Sequence, residues 1–371
     1  MTKTMTELVS NPKIRLHSVD HIEFYVGNAK QSMYFLCKGL GFQPVAFSGL
    51  ETGVRDKASY LLKQNNLNFV VTSSLIEDSE ISEFVKKHGD GVKDIALRVY
   101  DVKETYEEAV KAGAIPIMPP TEYKDEHGSL KKAIIGTYGD TIHSLIERTD
   151  YNGIFLPNFV SYLSGSTDID DKNYFYAFDH IVGNVEQMDE WTSYYSRVLG
   201  FEQLQQFDDE DVNTEYSALM SVVMDFDGLI KFPINEPATG RRKSQIQEYL
   251  DFNNGPGVQH IALLTNDIIE TVTELKKNGI EFLRTPNNYY SNLEQRVGAI
   301  DKETEKLKEL GILVDRDVNG YMFQIFTKPM GDRPTLFYEI IERRGSTGFG
   351  KGNFKALFEA IEREQELRGN I

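Results

Sequence analysis

The chain has 371 residues, a formal net charge of −17 and an apolar fraction of 40%. That length allows two or more domains with substantial cores, and the acidic balance provides no basic face for nucleic acid or an anionic membrane. A single cysteine, Cys37, excludes an intrachain disulfide and a thiolate zinc site, and there is no apolar run long enough for a transmembrane helix.

Residues Met1 to Ser10 lack the apolar core of a signal peptide and read as a loose tail, so the cytoplasm is the expected compartment. The first strand is Val19-Asp20-His21-Ile22, leading into Val26-Gly27-Asn28-Ala29 and a helix. Cys37 lies in the aromatic run of that helix and reads as a buried, inert thiol, before Gly41-Phe42 ends the helix. Lys87-His88-Gly89-Asp90 and Glu126-His127-Gly128 read as exposed turns. Between them, Val92 to Leu97 forms a strand that precedes a helix and Ala112-Gly113-Ala114-Ile115, and Ser144 to Arg148 forms another strand. The Gly/Ser/Asp-rich stretch Ser161 to Asp171 is the expected boundary between residues 1–160 and 172–371.

Beyond that boundary the pattern returns. Phe178-Asp179-His180-Ile181 runs into Val182-Gly183-Asn184-Val185, an offset of 159 residues from His21 to His180. A helix follows with Met188, Trp191, Tyr195 and Leu199 on one face. Asp208-Asp209-Glu210-Asp211 reads as a solvated turn. Val258 to Leu263, with Asn278-Gly279-Ile280 after its helix, repeats the Val92 segment, and Glu339 to Arg343 repeats Ser144 to Arg148. A last amphipathic helix carries Phe354, Leu357, Phe358 and Ile361. The expected fold is α+β, with each half built as two strand–helix–strands units.

The two copies differ in chemistry. Copy two places His180, His260 and Glu339 on three corresponding strands, where copy one has His21, Asp94 and Ser144. Two imidazoles and one carboxylate suit non-heme Fe(II) and leave coordination positions for substrate and O2. Copy one is therefore expected to have no complete metal site, with His21 structural. His17, His88, His127 and His143 have no such partners in the pattern.

Several segments together resemble the 4-hydroxyphenylpyruvate dioxygenases of the vicinal-oxygen-chelate superfamily. They are Phe178 to Ile181, Pro233-Ile234-Asn235-Glu236-Pro237, Lys243 to Gln247, Gly257 to Leu263, Gln324 to Pro329, and Gly348 to Phe354. The resemblance implies two tandem glyoxalase/bleomycin-resistance-like domains of paired βαβββ modules, the second an open barrel around one Fe(II) per chain. It implies the iron ligands His180, His260 and Glu339, and the polar pocket residues Ser221, Asn235, Gln245, Gln259 and Gln324. It also implies Phe326 and Phe337 sandwiching a substrate ring, and Phe354 with Asn353 at a lid helix. The implied reaction takes 4-hydroxyphenylpyruvate and O2 to homogentisate and CO2 by decarboxylation, ring hydroxylation and side-chain migration, in a homodimer or homotetramer.

Read without the resemblance, these residues have plainer roles. Asn235 between prolines is a turn residue, Asn353 an N-cap, and Gln245 and Gln247 helix caps. Gly348, Gly350 and Gly352 miss the phosphate-loop register and read as a hinge. The competing functions are 4-hydroxymandelate synthase, which attacks the benzylic carbon of the same substrate; a glyoxalase-type lyase or isomerase, which uses four ligands; and a non-catalytic binding module of this fold.

Overall fold

A computed structural model describes residues 14–162, 173–207, 219–237 and 243–369. Met1 to Ser10, the acidic run Asp208 to Asp211 and most of the expected linker lie outside the described residues.

The first half contains two βαβββ modules. One is β1 (Leu16–Tyr25), α1 (Ala29–Leu40), β2 (Gln43–Ser48), β3 (Lys57–Gln64) and β4 (Leu67–Ser74). A connecting helix, α2 (Glu80–His88), leads to the other: β5 (Gly91–Val99), α3 (Val102–Lys111), β6 (Ile115–Asp125), β7 (Gly128–Gly136) and β8 (Ile142–Tyr151), with the short β9 (Val160–Ser161) after it. The second half repeats this order. Its first module is β10 (Ala177–Asn184), α4 (Met188–Tyr194), β11 (Glu202–Phe207), β12 (Leu219–Phe226) and β13 (Ile230–Pro237). After α5 (Gln245–Asn253) come β14 (Gly257–Leu264), α6 (Ile268–Lys277), α7 (Leu293–Val297), α8 (Thr304–Leu310), β15 (Leu313–Arg316), β16 (Tyr321–Phe326) and β17 (Phe337–Arg344), then α9 (Phe354–Leu367).

Each half folds into one mixed sheet. The orders are β6-β7-β8-β5-β1-β4-β3-β2-β9 and β11-β12-β13-β10-β14-β17-β16-β15. In both, the first strands of the two modules pair antiparallel at the centre, β1 with β5 and β10 with β14. The strands flanking that pair are parallel to it, because a helix crosses over between them.

Local chemistry accounts for the element ends. Asn28 caps α1 by accepting from the Gln31 amide, and Gly41 closes it at φ 77°, where a glycine carries no Cβ penalty. Ser244, not Gln245 or Gln247, caps α5 by accepting from the Gln247 amide. The predicted helix with Met188, Trp191, Tyr195 and Leu199 forms, but its last turn is widened to a π-helix over Tyr195–Leu199. Cys37 is buried, and burial pushes its thiol up to about 12, out of reach of nucleophilic use at neutral pH.

The two halves share one apolar core. Phe69 of β4 packs against Phe178 and Tyr338 of the second sheet, with ring centroids 5.8 and 6.0 Å apart. Tyr138 lies so close under Gly183 that a Cβ there would meet its ring at 2.7 Å. Two histidines bridge the halves, and the first departs from the exposed turn read from the sequence. His88 is the buried last residue of α2, bonded to the Asn253 carbonyl and, at 2.8 Å, to Asp140. His143 is buried between the Ile95 carbonyl and the Tyr195 hydroxyl, both at 2.8 Å. Both serve the seam between the halves.

Candidate metal centre and pocket

Strand register brings the three predicted ligands together. His180 on β10 stands opposite Ala262 on β14, and Ala262 stands opposite Glu339 on β17. His260 lies two residues before Ala262, so the strand period puts it on the same face. The Glu339 Oε2 lies 3.1 Å from the His180 Nε2 and 3.4 Å from the His260 Nε2. All three residues are buried.

The far side of each imidazole is already bonded. Nδ1 of His180 bonds Asp179 at 2.7 Å, and Nδ1 of His260 bonds the Gln259 Oε1 at 2.9 Å. A proton held at Nδ1 leaves the Nε2 lone pair facing the centre, the usual arrangement of a metal-binding imidazole. Asp179 is itself gripped by the Arg343 Nε and Nη2 at 2.6 and 2.7 Å. Burial alone would raise the Asp179 carboxyl, but Arg343 and His180 hold it well below its ordinary range.

The electrostatics call for a cation. Burial works against charge on both His180 and Glu339. Even so, the Glu339 carboxylate, with Asp179, lifts His180 to about 9, and His180 in turn draws Glu339 down to about 2. Burial lowers His260, with Glu339 only partly opposing it. No lysine or arginine is among the residues lining the pocket. An ion that displaces the His180 proton would meet one buried carboxylate and two imidazole nitrogens, a donor set that fits a borderline divalent metal.

The remaining predicted residues, Asn353 excepted, line the same cavity, which has a free volume of about 80 Å³. Ser221 on β12 stands directly opposite Asn235 on β13, and the Asn235 Nδ2 donates to the Asn184 Oδ1 at 3.2 Å. Gln245 opens α5, and Gln324 on β16 donates from Nε2 to the Glu339 Oε1 at 3.1 Å. Asn353 precedes α9 without capping it; its Nδ2 donates instead to the Gln324 Oε1 at 2.9 Å. Asn235 lies within β13 rather than in a turn. Phe326 and Phe337 meet edge to face at 73°, and Phe337 stacks on His260 at 4.9 Å. In this geometry they form a corner rather than two parallel walls. Phe354 closes the cavity against Phe207 at 4.9 Å.

Phe349, Arg343 and Asp179 are not picked out as site residues by the sequence, and Gly350 reads there only as part of a hinge. Phe349 packs on the His180 ring at 5.2 Å. Arg343 and Asp179 form the clamp, and its signal was present as the repeated Asp-His with a later Arg: in the first half Arg148 grips Asp20 at 2.7 and 2.8 Å, and Asp20 holds His21 at 2.7 Å. Gly350 is required by close approach. Its φ is +74°, and a Cβ there would fall 2.0 Å from the Gln324 Oε1.

The first half holds a correction. A third group does join His21 and Asp94, but it is Glu23 from the same strand rather than Ser144; one ligand atom of each lies within 4.8 Å of the others. Their carboxylates already have protein donors. Asp94 accepts from the Ser144 amide at 2.9 Å and from its hydroxyl, and Glu23 accepts from Thr72 at 2.6 Å. A wider open cleft of about 550 Å³ runs past His17, Lys63 and Arg98, and none of His180, His260 and Glu339 lines it.

Comparison with known proteins agrees with this geometry. Residues 10–160 match the family model "Hydroxyphenylpyruvate dioxygenase, HPPD, N-terminal", and residues 177–325 match "Glyoxalase/Bleomycin resistance protein/Dioxygenase superfamily". The chain is 46% identical to a 4-hydroxyphenylpyruvate dioxygenase of Yarrowia lipolytica, covering 98% of this chain and 96% of that one. It is 47% identical to one from Caenorhabditis elegans, covering 95% and 93%. Among solved structures, a triple mutant of 4-hydroxymandelate synthase from Streptomyces coelicolor superposes with a TM-score of 0.84 at 32% identity, covering 95% of this chain and 100% of that one. A Mn(II)-bound glyoxalase from Novosphingobium aromaticivorans, 11% identical with a TM-score of 0.50 over 89% of this chain and 83% of that one, shares the fold. With two tandem vicinal-oxygen-chelate domains and near full-length identity to its relatives, this chain belongs to the 4-hydroxyphenylpyruvate dioxygenase family.

Proposed function

We propose that this chain converts 4-hydroxyphenylpyruvate and O2 to homogentisate and CO2, with one Fe(II) held by His180, His260 and Glu339. The observation that carries the reading is the convergence of these three buried side chains on one sheet face beside an amide-lined, cation-free pocket. Iron bound there would supply Lewis acidity toward an α-keto acid and a redox-active site for O2, the electrons that reduce O2 coming from oxidation of the substrate itself. The substrate brings its own keto acid, so no second oxidisable acid is needed.

The protein's share is positioning and exclusion of water. Asp179 and Gln259 fix the ring orientations of His180 and His260. Gln324 holds one oxygen of Glu339, so the other faces the imidazoles. Ser221, Asn235, Gln245 and Gln259 orient the polar groups of the substrate, while Phe326 and Phe337 supply a face and an edge for its ring. A pocket built for a phenol hydroxyl rejects the analogue lacking it, because a buried amide is left unpaired. Phe349, Phe354 and Asn353 form the closing side. The cavity's free volume is about 80 Å³, and Phe354, Leu357, Phe358 and Ile361 of α9 line it, so a shift of this helix would widen it for substrate.

Benzylic hydroxylation to 4-hydroxymandelate is the second reading, raised by the Streptomyces coelicolor likeness. Identity to that enzyme is 32%, against 46 and 47% to the two dioxygenases, which favours ring attack. The test is chromatography of the product formed from 4-hydroxyphenylpyruvate by iron-loaded protein in air. Homogentisate supports the proposal; 4-hydroxymandelate as the main product refutes it. Assembly as a homodimer or homotetramer belongs to the same proposal and is read by sedimentation. Among the described residues no helix is long and apolar enough to cross a membrane.

A further inference from the structure

A hydrogen-bond chain runs from the metal centre to a tyrosine outside the pocket. Glu339 Oε1 accepts from the Gln324 Nε2 at 3.1 Å, Gln324 Oε1 accepts from the Asn353 Nδ2 at 2.9 Å, and Asn353 Oδ1 accepts from the Tyr289 hydroxyl at 2.5 Å. The direction of this chain is fixed by charge. A carboxylate only accepts, so Gln324 must turn its NH2 toward Glu339 and its oxygen outward. Asn353 must then present its NH2 to Gln324 and its oxygen to Tyr289.

Tyr289 has a second acceptor for its one phenolic proton. Its oxygen also lies 2.8 Å from the Val314 carbonyl, and it accepts from the Val314 amide at 2.8 Å. The proton can serve Asn353 or Val314, not both. The tyrosine itself is held in place: Arg296 lies 4.7 Å over its ring and donates to the Val314 carbonyl at 3.0 Å. Its hydroxyl is therefore satisfied whether or not Asn353 is docked. Asn353 is 1% exposed and immediately precedes α9, so its docking and the seating of that helix go together.

We propose that Tyr289 is a positioning residue that latches the start of α9 to the Glu339 ligand through Asn353 and Gln324, and that Val314 receives its proton when the latch opens. The inference rests on reading Glu339 as a metal ligand and α9 as a lid. With an alternative acceptor, the latch favours closure only by the net worth of one hydrogen bond, since no buried hydroxyl is left unpaired when it opens.

The test uses the full chain with Tyr289→Phe, which keeps the ring, and Asn353→Ala, singly and together. Three readouts are taken: Co(II) bound per chain, the rate of trypsin cleavage after Lys351 or Lys355, and O2 consumed per homogentisate formed by the iron-loaded enzyme. For Tyr289→Phe we expect unchanged cobalt stoichiometry, cleavage about tenfold faster, the size of one lost buried hydrogen bond, and an O2-to-product ratio above that of the parent. The double variant should cleave no faster than the faster single one, because both break the same link. Wild-type cleavage in Tyr289→Phe, or additive effects in the double variant, overturns the latch. Failure of the underlying functional reading looks different: the parent protein itself would bind no cobalt or form no homogentisate, while the cleavage comparison would still report on Tyr289.

Discussion

Replacing Gly350 with alanine tests the pocket's packing with one methyl group. The new Cβ falls 2.0 Å from the Gln324 Oε1 and 2.9 Å from its Cδ, so the amide must move. Gln324 is 3% exposed and bonded at both ends, to Glu339 and to Asn353, so displacement breaks both bonds. Each is worth about 1 kcal/mol net. Holding alanine at φ +74° adds about 1 kcal/mol more. The total is about 3 kcal/mol, and much of it falls on the orientation of Glu339 and the seating of α9. We expect Gly350→Ala to bind one Co(II) per chain, because all three ligands remain, and to melt lower. Its kcat/KM for 4-hydroxyphenylpyruvate should fall by about a hundredfold. The assay is homogentisate formation under anaerobically loaded iron, with cobalt stoichiometry and thermal melting measured on the same preparation. Wild-type kcat/KM in a folded Gly350→Ala would refute the packing argument, since the methyl group would then have found room that the geometry denies.

Three further outcomes follow from the same geometry. Asp179→Asn keeps the size of the side chain but loses the charge that Arg343 and His180 share, so cobalt affinity should fall about 10- to 100-fold in a chelator competition, with stoichiometry restored at high metal; unchanged affinity would contradict the clamp. Because His180 is lifted to about 9, above its ordinary 6.5, and Glu339 is drawn down to about 2, below its ordinary 4.5, the His180–Glu339 pair stabilises the metal-free protein fully between pH 4.5 and 6.5, and progressively less as pH rises through about 9 or falls through about 2. A bound cation must displace that proton, so cobalt affinity should rise with pH up to about 9 and then level off; a flat profile between pH 7 and 9 would contradict it. His21→Ala should retain most turnover per folded chain, because its cluster is closed by Ser144 and Thr72; loss of more than about tenfold at unchanged cobalt content would assign the first half a catalytic part.

The sequence showed the duplication because duplicated strands keep their alternation and their punctuating glycines, and the two sheets have the same central pairing in the same register. His180, His260 and Glu339 were legible only through that duplication, since residues so far apart in the chain share no local motif. Asp179 and Arg343 were printed twice in the pattern but pass as ordinary surface charges until Arg343 is seen bonding both oxygens of Asp179. Glu23, beside His21 and Asp94, is not marked by the duplication, because its repeat position in the second half is Val182. His88 read as a turn because Gly89 and Asp90 follow it; its burial comes from α5 of the other half, which no local pattern encodes. Asn353 looked like a cap and is instead a link, because Gln324 offers it a better partner than the helix amides do.

On the proposed assignment, three side chains hold one ion, and the ion is required for turnover. The most direct measurement is iron content per chain, together with homogentisate and CO2 released from 4-hydroxyphenylpyruvate, in the parent and in Glu339→Ala after anaerobic loading and desalting. We expect one iron per chain and equal amounts of homogentisate and CO2 in the parent, with iron and product both lost in a folded Glu339→Ala. Full turnover in Glu339→Ala, or a parent that forms homogentisate without bound metal, would contradict it.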